Sequence, residues 1–255
     1  MKKLLHSFII GMYATAYAPV IFAEPPMAPF YAAVIKMAPE GKLGQVIKQE
    51  KVATSVKGAQ AWRIAYISSD VSGRKTISTG IVVSPVGVAP LGGRPVMSWV
   101  HGTTGTAQNC GPSQVINPAD PLNEYFLING NSYTDYGIPA VEEFIKEGYV
   151  IVSTDNQGLG GGGRHQYGVA VTNGMDAINA ARAANSMRQT GGNNKAIIYG
   201  WSTGAGAAIA IAGMPDYIKQ TGTAADHLDI KGFVALAPQD VAALAPASQF
   251  DQASA

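Results

Sequence analysis

The sequence predicts an α/β fold in which an antiparallel hairpin near the N-terminus feeds a sheet of later, parallel strands with helices on both faces. Three observations carry this expectation. Residues 61–68 and 75–84 alternate, are rich in Ile, Val, Trp and Tyr, and flank Asp70-Val-Ser-Gly73, a turn suited to a hairpin. Residues 149–154 (YVIVST) form a continuous apolar run of the kind a parallel sheet buries on both faces. Around them, strand-like runs alternate with helix-like ones, the order of repeated strand-helix units.

The elements follow in order. Residues 1–23 begin with Lys2 and Lys3, continue through an apolar stretch near residues 4–12, and end in small residues before Glu24-Pro25-Pro26. This reads as a secretory signal peptide cut after Ala23, which predicts a secreted or periplasmic protein. The apolar core is shorter than the ~20 residues of a membrane span and Pro19 interrupts its end, so no stable span is expected after cleavage. Residues 24–60 have no strong period and read as a lead-in wrapping the surface; residues 61–255 read as the α/β domain. Residues 94–100 are the next strand, ending in His101-Gly-Thr-Thr-Gly105, and residues 109–136 form a polar loop long enough to be functional or disordered. Pro139 suits the first turn of a helix through Glu147 that Gly148 closes. Residues 169–187 are helical in period, and residues 195–199 and 230–237 return to strand.

Composition excludes several classes. With 47% hydrophobic and 14% charged residues, the chain has the means to bury a large core, so disorder is not a serious reading. The 18 basic and 17 acidic residues are scattered, so the electrostatic footprint of a nucleic-acid binder is missing. The one cysteine, Cys110, is unusual for an exported protein, and is read either as a buried free thiol or as half of a pair completed elsewhere.

The chemistry concentrates in Lys195-Ala-Ile-Ile-Tyr-Gly-Trp-Ser202-Thr-Gly-Ala-Gly, where G-x-S-x-G falls between a strand and an Ala-rich helix. That is the context of a nucleophile elbow, in which glycines on either side let the serine occupy a tight, strained turn with its hydroxyl exposed. Ser202 would attack an acyl carbonyl, and the N–H of Thr203 would donate to the developing oxyanion. A second donor is expected from the loop after residues 94–100, at Thr103 or Thr104. His101 beside that loop is read as orienting it by hydrogen bonding. His165 and Asp155 are read as further pocket or loop-orienting residues.

Gly158-Leu-Gly-Gly-Gly-Gly163 satisfies G-x-G-x-x-G, but Arg164-His-Gln-Tyr-Gly168 separates it from the next helix, and no acidic residue ends a strand about 20 residues later. A dinucleotide site is rejected. With no G-K-[ST], H-E-x-x-H or paired cysteines, neither a cofactor nor a metal is expected. The catalytic base is the difficulty. Chain order requires an acid and then a histidine after Ser202, yet only His227 follows, and it precedes the strand at 230–237, on the edge of the sheet away from the elbow. Asp240, just past that strand, is on the correct side and is a candidate acid, although the acid of such a sheet more often comes one strand later.

Taken together, Gly80-Ile-Val-Val-Ser-Pro85, Ser98-Trp-Val-His-Gly-Thr-Thr-Gly105, Cys110-Gly-Pro-Ser113, Gly148-Tyr-Val-Ile-Val-Ser-Thr-Asp155, Gln157-Gly-Leu-Gly160, His165-Gln-Tyr167, Asp176-Ala-Ile-Asn-Ala-Ala-Arg182 and the elbow at Ser202 resemble the secretory lipase family of the α/β-hydrolase superfamily. The resemblance covers residues 60–240. It implies carboxylic ester hydrolysis through a Ser-Asp-His triad, with Ser202 as nucleophile and the amides of Thr203 and the Thr103 region as oxyanion hole. It also implies a lid, two further core strands, an acid and a histidine that are not seen here, so the chain reads as the N-terminal two thirds of such an enzyme. Family members often pair the cysteine after this loop with a downstream one, which bears on Cys110.

The leading expectation is therefore an exported serine ester hydrolase acting on small-molecule or lipid esters through an acyl-enzyme, with low or no activity as it stands. The alternatives are a non-catalytic hydrolase-fold protein that binds a ligand, an inactive fragment, or an acyltransferase using the same serine.

Overall fold

The computed structural model describes residues 27–114 and 137–238. Seven strands form one mixed sheet: β1 (Val46–Val52), β2 (Ala59–Ser69), β3 (Lys75–Pro85), β4 (Arg94–Val100), β5 (Val150–Thr154), β6 (Gly192–Trp201) and β7 (Asp229–Leu236), in spatial order β1-β2-β3-β5-β4-β6-β7. The first three strands and the β3–β5 pair are antiparallel, whereas β5, β4, β6 and β7 are mutually parallel. The chain crosses over between β3 and β5, so the C-terminal ends of β4, β5, β6 and β7 lie along one edge, where ligands of open α/β sheets bind.

Among the described residues the α-helices are α1 (Pro29–Val34), α2 (Val141–Lys146), α3 (Ala170–Ser186), α4 (Thr203–Ala212) and α5 (Pro215–Ile218). Alternation along the strands gives the sheet two apolar faces. Ile64, Val82, Val96, Val152 and Ile198 pack under α3 and α4, while Ile81, Met97, Trp99 and Ile151 face Val141 and Ile145 of α2. The helix α3 is buried almost all round because small residues let α4 lie directly on it: a Cβ on Gly174 would meet the Ala207 carbonyl at 2.8 Å.

Two details differ from the sequence reading. The lead-in is partly sheet, since β1 pairs with β2 from Val46 to Val52 and α1 seats Phe30, Tyr31 and Val34 against Ala65, Ile67 and Ile77. The α2 helix begins at Val141, because Ala140 at φ 51° stands outside the helical region. Gly148, at φ 84°, follows as expected of a C-terminal stop. Among the described residues no helix is long and apolar enough to cross a membrane.

Candidate active site

The strand β6 turns into α4 at Ser202, whose backbone sits at φ 54°, ψ −118°. A non-glycine residue there carries strain of about 1–3 kcal/mol and persists only where its surroundings enforce it. Two interactions do so: Ser202 N–H donates to the Leu236 carbonyl at 3.0 Å, and the Ser202 carbonyl accepts from Gly206 N–H at 3.1 Å. The flanking glycines are required by contact. A Cβ on Gly200 would run into the Gly204 carbonyl, and one on Gly204 would run into the carbonyls of Val100 and His101. The second collision also shows that the elbow abuts the start of the loop after β4.

That loop carries the sequence-predicted donors. Gly102 lies under the Trp201 ring, so closely that a Cβ would overlap it. Thr104 is buried, whereas Thr103 is exposed and its hydroxyl lies 3.1 Å from the Tyr167 hydroxyl. Thr203 is the first residue of α4, and a helix's first N–H groups have no intrahelical acceptor. Thr203, Thr103 and Thr104 thus belong to two segments in direct contact.

His101 is buried and fastened on both sides. Its Nδ1 lies 2.5 Å from the Gly102 carbonyl, and its Nε2 lies 3.3 Å from Asn156 Nδ2 and 3.2 Å from the Asp155 carbonyl. A neutral ring with the proton on Nδ1 donates to Gly102 and accepts from Asn156, and leaves the Asp155 carbonyl beside Nε2 without a bond to the ring. Burial pulls its pKa down to about 4, so the ring stays neutral at physiological pH. It holds the loop.

Asp155 follows β5 as a fully buried carboxyl. Its oxygens accept from Ser113 N–H at 2.7 Å, Thr79 Oγ1 at 2.6 Å and the Ser113 hydroxyl, and Ser113 in turn meets the Tyr31 hydroxyl at 2.6 Å. Burial outweighs these donors and raises its pKa to about 6. A second buried carboxyl, Asp176 of α3, accepts from Ser78 Oγ at 2.8 Å and Gln157 N–H at 2.7 Å, and burial raises it likewise to about 6. Residues 155–157 are therefore pinned between β3, α3 and the short 3-10 turn Pro112–Gln114. Sequence reasoning marked Ser113 and Tyr167 only as parts of motifs and missed Tyr31, Thr79 and Asn156. Their partners are distant in sequence, with Tyr31 and Ser113 82 residues apart.

His165 is half-buried; its Nδ1 donates to the Gln157 carbonyl at 2.8 Å, and its ring lies 6.1 Å from that of Tyr167. The glycine run 158–163 covers β3, where a Cβ on Gly161 would strike the Ile77 carbonyl, and it does not open a helix, since α3 starts at Ala170. His227 precedes β7 next to Asn194, whose Nδ2 donates to its carbonyl, while Trp201 pairs with Leu236 at the other end. Seven residues of strand separate those ends, about 20 Å. Asp240 lies outside the described residues. Cys110 is a half-buried free thiol. No described residue is hydrogen-bonded to the Ser202 hydroxyl.

Comparisons with known proteins show what this chain is similar to. The secretory lipase family model matches residues 130–228. Lipase A of Candida antarctica in its closed state superposes with a TM-score of 0.56 at 20% identity, covering 81% of this chain and 44% of that one. A second structure of the same lipase gives 0.54 at 21%, and a mutant of the rice cell wall degrading esterase LipA from Xanthomonas oryzae gives 0.50 at 18%, covering 70% of this chain and 48% of that one. No curated protein matches. At these identities the superpositions establish the fold. The chain has the α/β-hydrolase fold, and over residues 130–228 it is similar to the secretory lipase family. It spans less than half the length of the lipase it superposes on.

Proposed function

We propose that this protein hydrolyses carboxylic esters with Ser202 as nucleophile. The observation that carries the reading is the backbone of Ser202 at φ 54°, held at the head of α4 by Gly200 and Gly204. Such strain serves no packing purpose in a serine and suits a hydroxyl that must stand clear of its neighbours. Ser202 Oγ attacks the acyl carbonyl, and the carbonyl oxygen, now anionic, receives the N–H of Thr203 and one from Thr103 or Thr104. One such donor is worth about 3–4 kcal/mol in the transition state. Collapse of the tetrahedral intermediate expels the alcohol, and water then releases the acid from the acyl-enzyme.

A general base must take the Ser202 proton. His101 is neutral but spent on the loop, and His165 has one nitrogen committed to Gln157. The described residues therefore support the nucleophile and oxyanion hole better than the base. Export, with a signal peptide cut after Ala23, is part of the same proposal, supported by the match to a secretory family.

The test is hydrolysis of p-nitrophenyl butyrate by the protein and by Ser202→Ala. The reading expects the variant to fall to the buffer rate with an unchanged melting temperature. Equal rates in both would remove it.

A further inference from the structure

We propose that a second cavity, remote from Ser202, binds the carboxylate of an amphiphilic acid. The cavity, of about 470 Å³, lies between the segment before β1, the β2–β3 turn and the loop after α5, and is lined among others by Lys42, Leu43, Ser69, Lys75, Met175 and Tyr217. Its size is within the range of small-molecule sites. Four strand-to-strand steps separate β2 from β6, roughly 19 Å at ordinary spacing, so the cavity and the elbow are distinct places.

Asn179 Nδ2 donates to the Tyr217 hydroxyl at 2.7 Å, and that hydroxyl shares a hydrogen bond with Ser69 Oγ at 2.8 Å in which either oxygen can donate. With Tyr217 as donor, the Ser69 proton has only the Met175 sulfur, a weak acceptor 3.9 Å away. With Ser69 as donor, the Tyr217 proton has no acceptor among the described residues. In both arrangements one hydroxyl proton at the cavity wall lacks an adequate partner. Lys42 and Lys75 add ammonium groups, of which Lys75 Nζ spends one proton on the Gly41 carbonyl at 2.5 Å.

Behind this wall sits Arg182, fully buried. Its guanidinium donates only to neutral acceptors: Asn179 Oδ1 at 2.9 Å and the carbonyls of Tyr217 and Ile218 at 2.8 and 3.2 Å. Its ring contact with Tyr217, 5.4 Å to the centroid, ties it to the same wall. Among the described residues no carboxylate pairs with it. The acids nearby are occupied, Asp70 with Ser72 and Arg74, and Asp226 with Gly222 and Thr223. Asp226 keeps its charge under these neutral donors and acts on Arg182 only at a distance, without a direct bond, and an anion in the cavity would add to that support. Leu43, Met175 and Val71 supply the apolar surface that favours an acid with a hydrocarbon tail over an inorganic anion.

The inference stands whether or not Ser202 is a nucleophile. Methionine methyls labelled with carbon-13 report on the site directly, with the Met175 resonance identified by its loss in Met175→Leu. Octanoate should shift that resonance saturably, and 1-octanol, with the same tail and no charge, should bind at least tenfold more weakly. The double variant Lys42→Met/Lys75→Met should weaken octanoate at least tenfold while the protein stays folded. The proposal is overturned if octanoate leaves Met175 unmoved, if octanol binds equally, if inorganic phosphate binds more tightly than octanoate, or if the lysine variant keeps full affinity.

Discussion

Asn156 Nδ2 donates to His101 Nε2 at 3.3 Å, and this bond joins the loop that follows β5 to the loop that follows β4. The second of these is the one that abuts Ser202. Through His101 the loop after β4 is tied to residues 155–157, which are themselves pinned by Ser113, Thr79 and Asp176.

It follows that His101 positions the loop and does not act as the base. Nitrogen NMR should find a neutral imidazole protonated on Nδ1 down to about pH 4. His101→Ala should lower kcat on a p-nitrophenyl ester about tenfold to a hundredfold with little change in KM, within the loss expected for a misplaced oxyanion donor. An imidazole that titrates near its free value of 6.5 contradicts this role.

Asp155 gives a pH signature of defined sign. Its folded pKa is raised from 3.8 to about 6, so the stability linked to its proton is fully present below 3.8 and is lost as pH rises through about 6. The loss is on the order of 3 kcal/mol. Asp155→Asn removes this slope, so the melting temperature of the parent relative to the variant should fall between pH 4 and pH 7. His101 acts oppositely: its depressed pKa gives stability that is present above 6.5 and lost as pH falls through about 4. A parent and variant with parallel pH profiles would show that Asp155 is not buried as described.

Gly204→Ala should destabilise the fold by several kcal/mol, since its Cβ would collide with the Val100 and His101 carbonyls and neither backbone segment has room to move. Gly163→Ala meets no neighbouring atom within 4 Å and is strained only by its φ of 75°, so it should cost about 1 kcal/mol. Thermal melts of the two variants check the contrast.

Much of the fold was legible because its signals are local. The alternation of β2 and β3, the apolar run of β5 and the glycines around Ser202 each state their structure within a few residues. By contrast, β1 (VIKQEKV) carries three charged residues and is a strand because β2 offers it a partner. Asn156 and Tyr31 gain their roles from contacts 55 and 82 residues away, which no local pattern encodes. Arg182 was visible as a motif residue, but its burial among neutral hydrogen-bond acceptors appears only in three dimensions.

The last strand carries a prediction about solubility. On β7, Phe233, Val234 and Leu236 are 36%, 39% and 44% exposed, and β7 has a strand neighbour only at β6 among the described residues. An apolar edge of this kind recruits other chains, so the protein should bind a hydrophobic dye strongly. Val234→Lys should reduce both dye binding and aggregation; a dye-silent, monomeric parent would show that this strand is covered.

The central claim is that Ser202 is the nucleophile, and the most direct measurement is the site of covalent modification by a fluorophosphonate, read by mass spectrometry of the digested protein. The account predicts one adduct, on the peptide containing Ser202, and none on that peptide in Ser202→Ala. An adduct on another residue that persists in Ser202→Ala, with Ser202 itself unmodified in the parent, would contradict it.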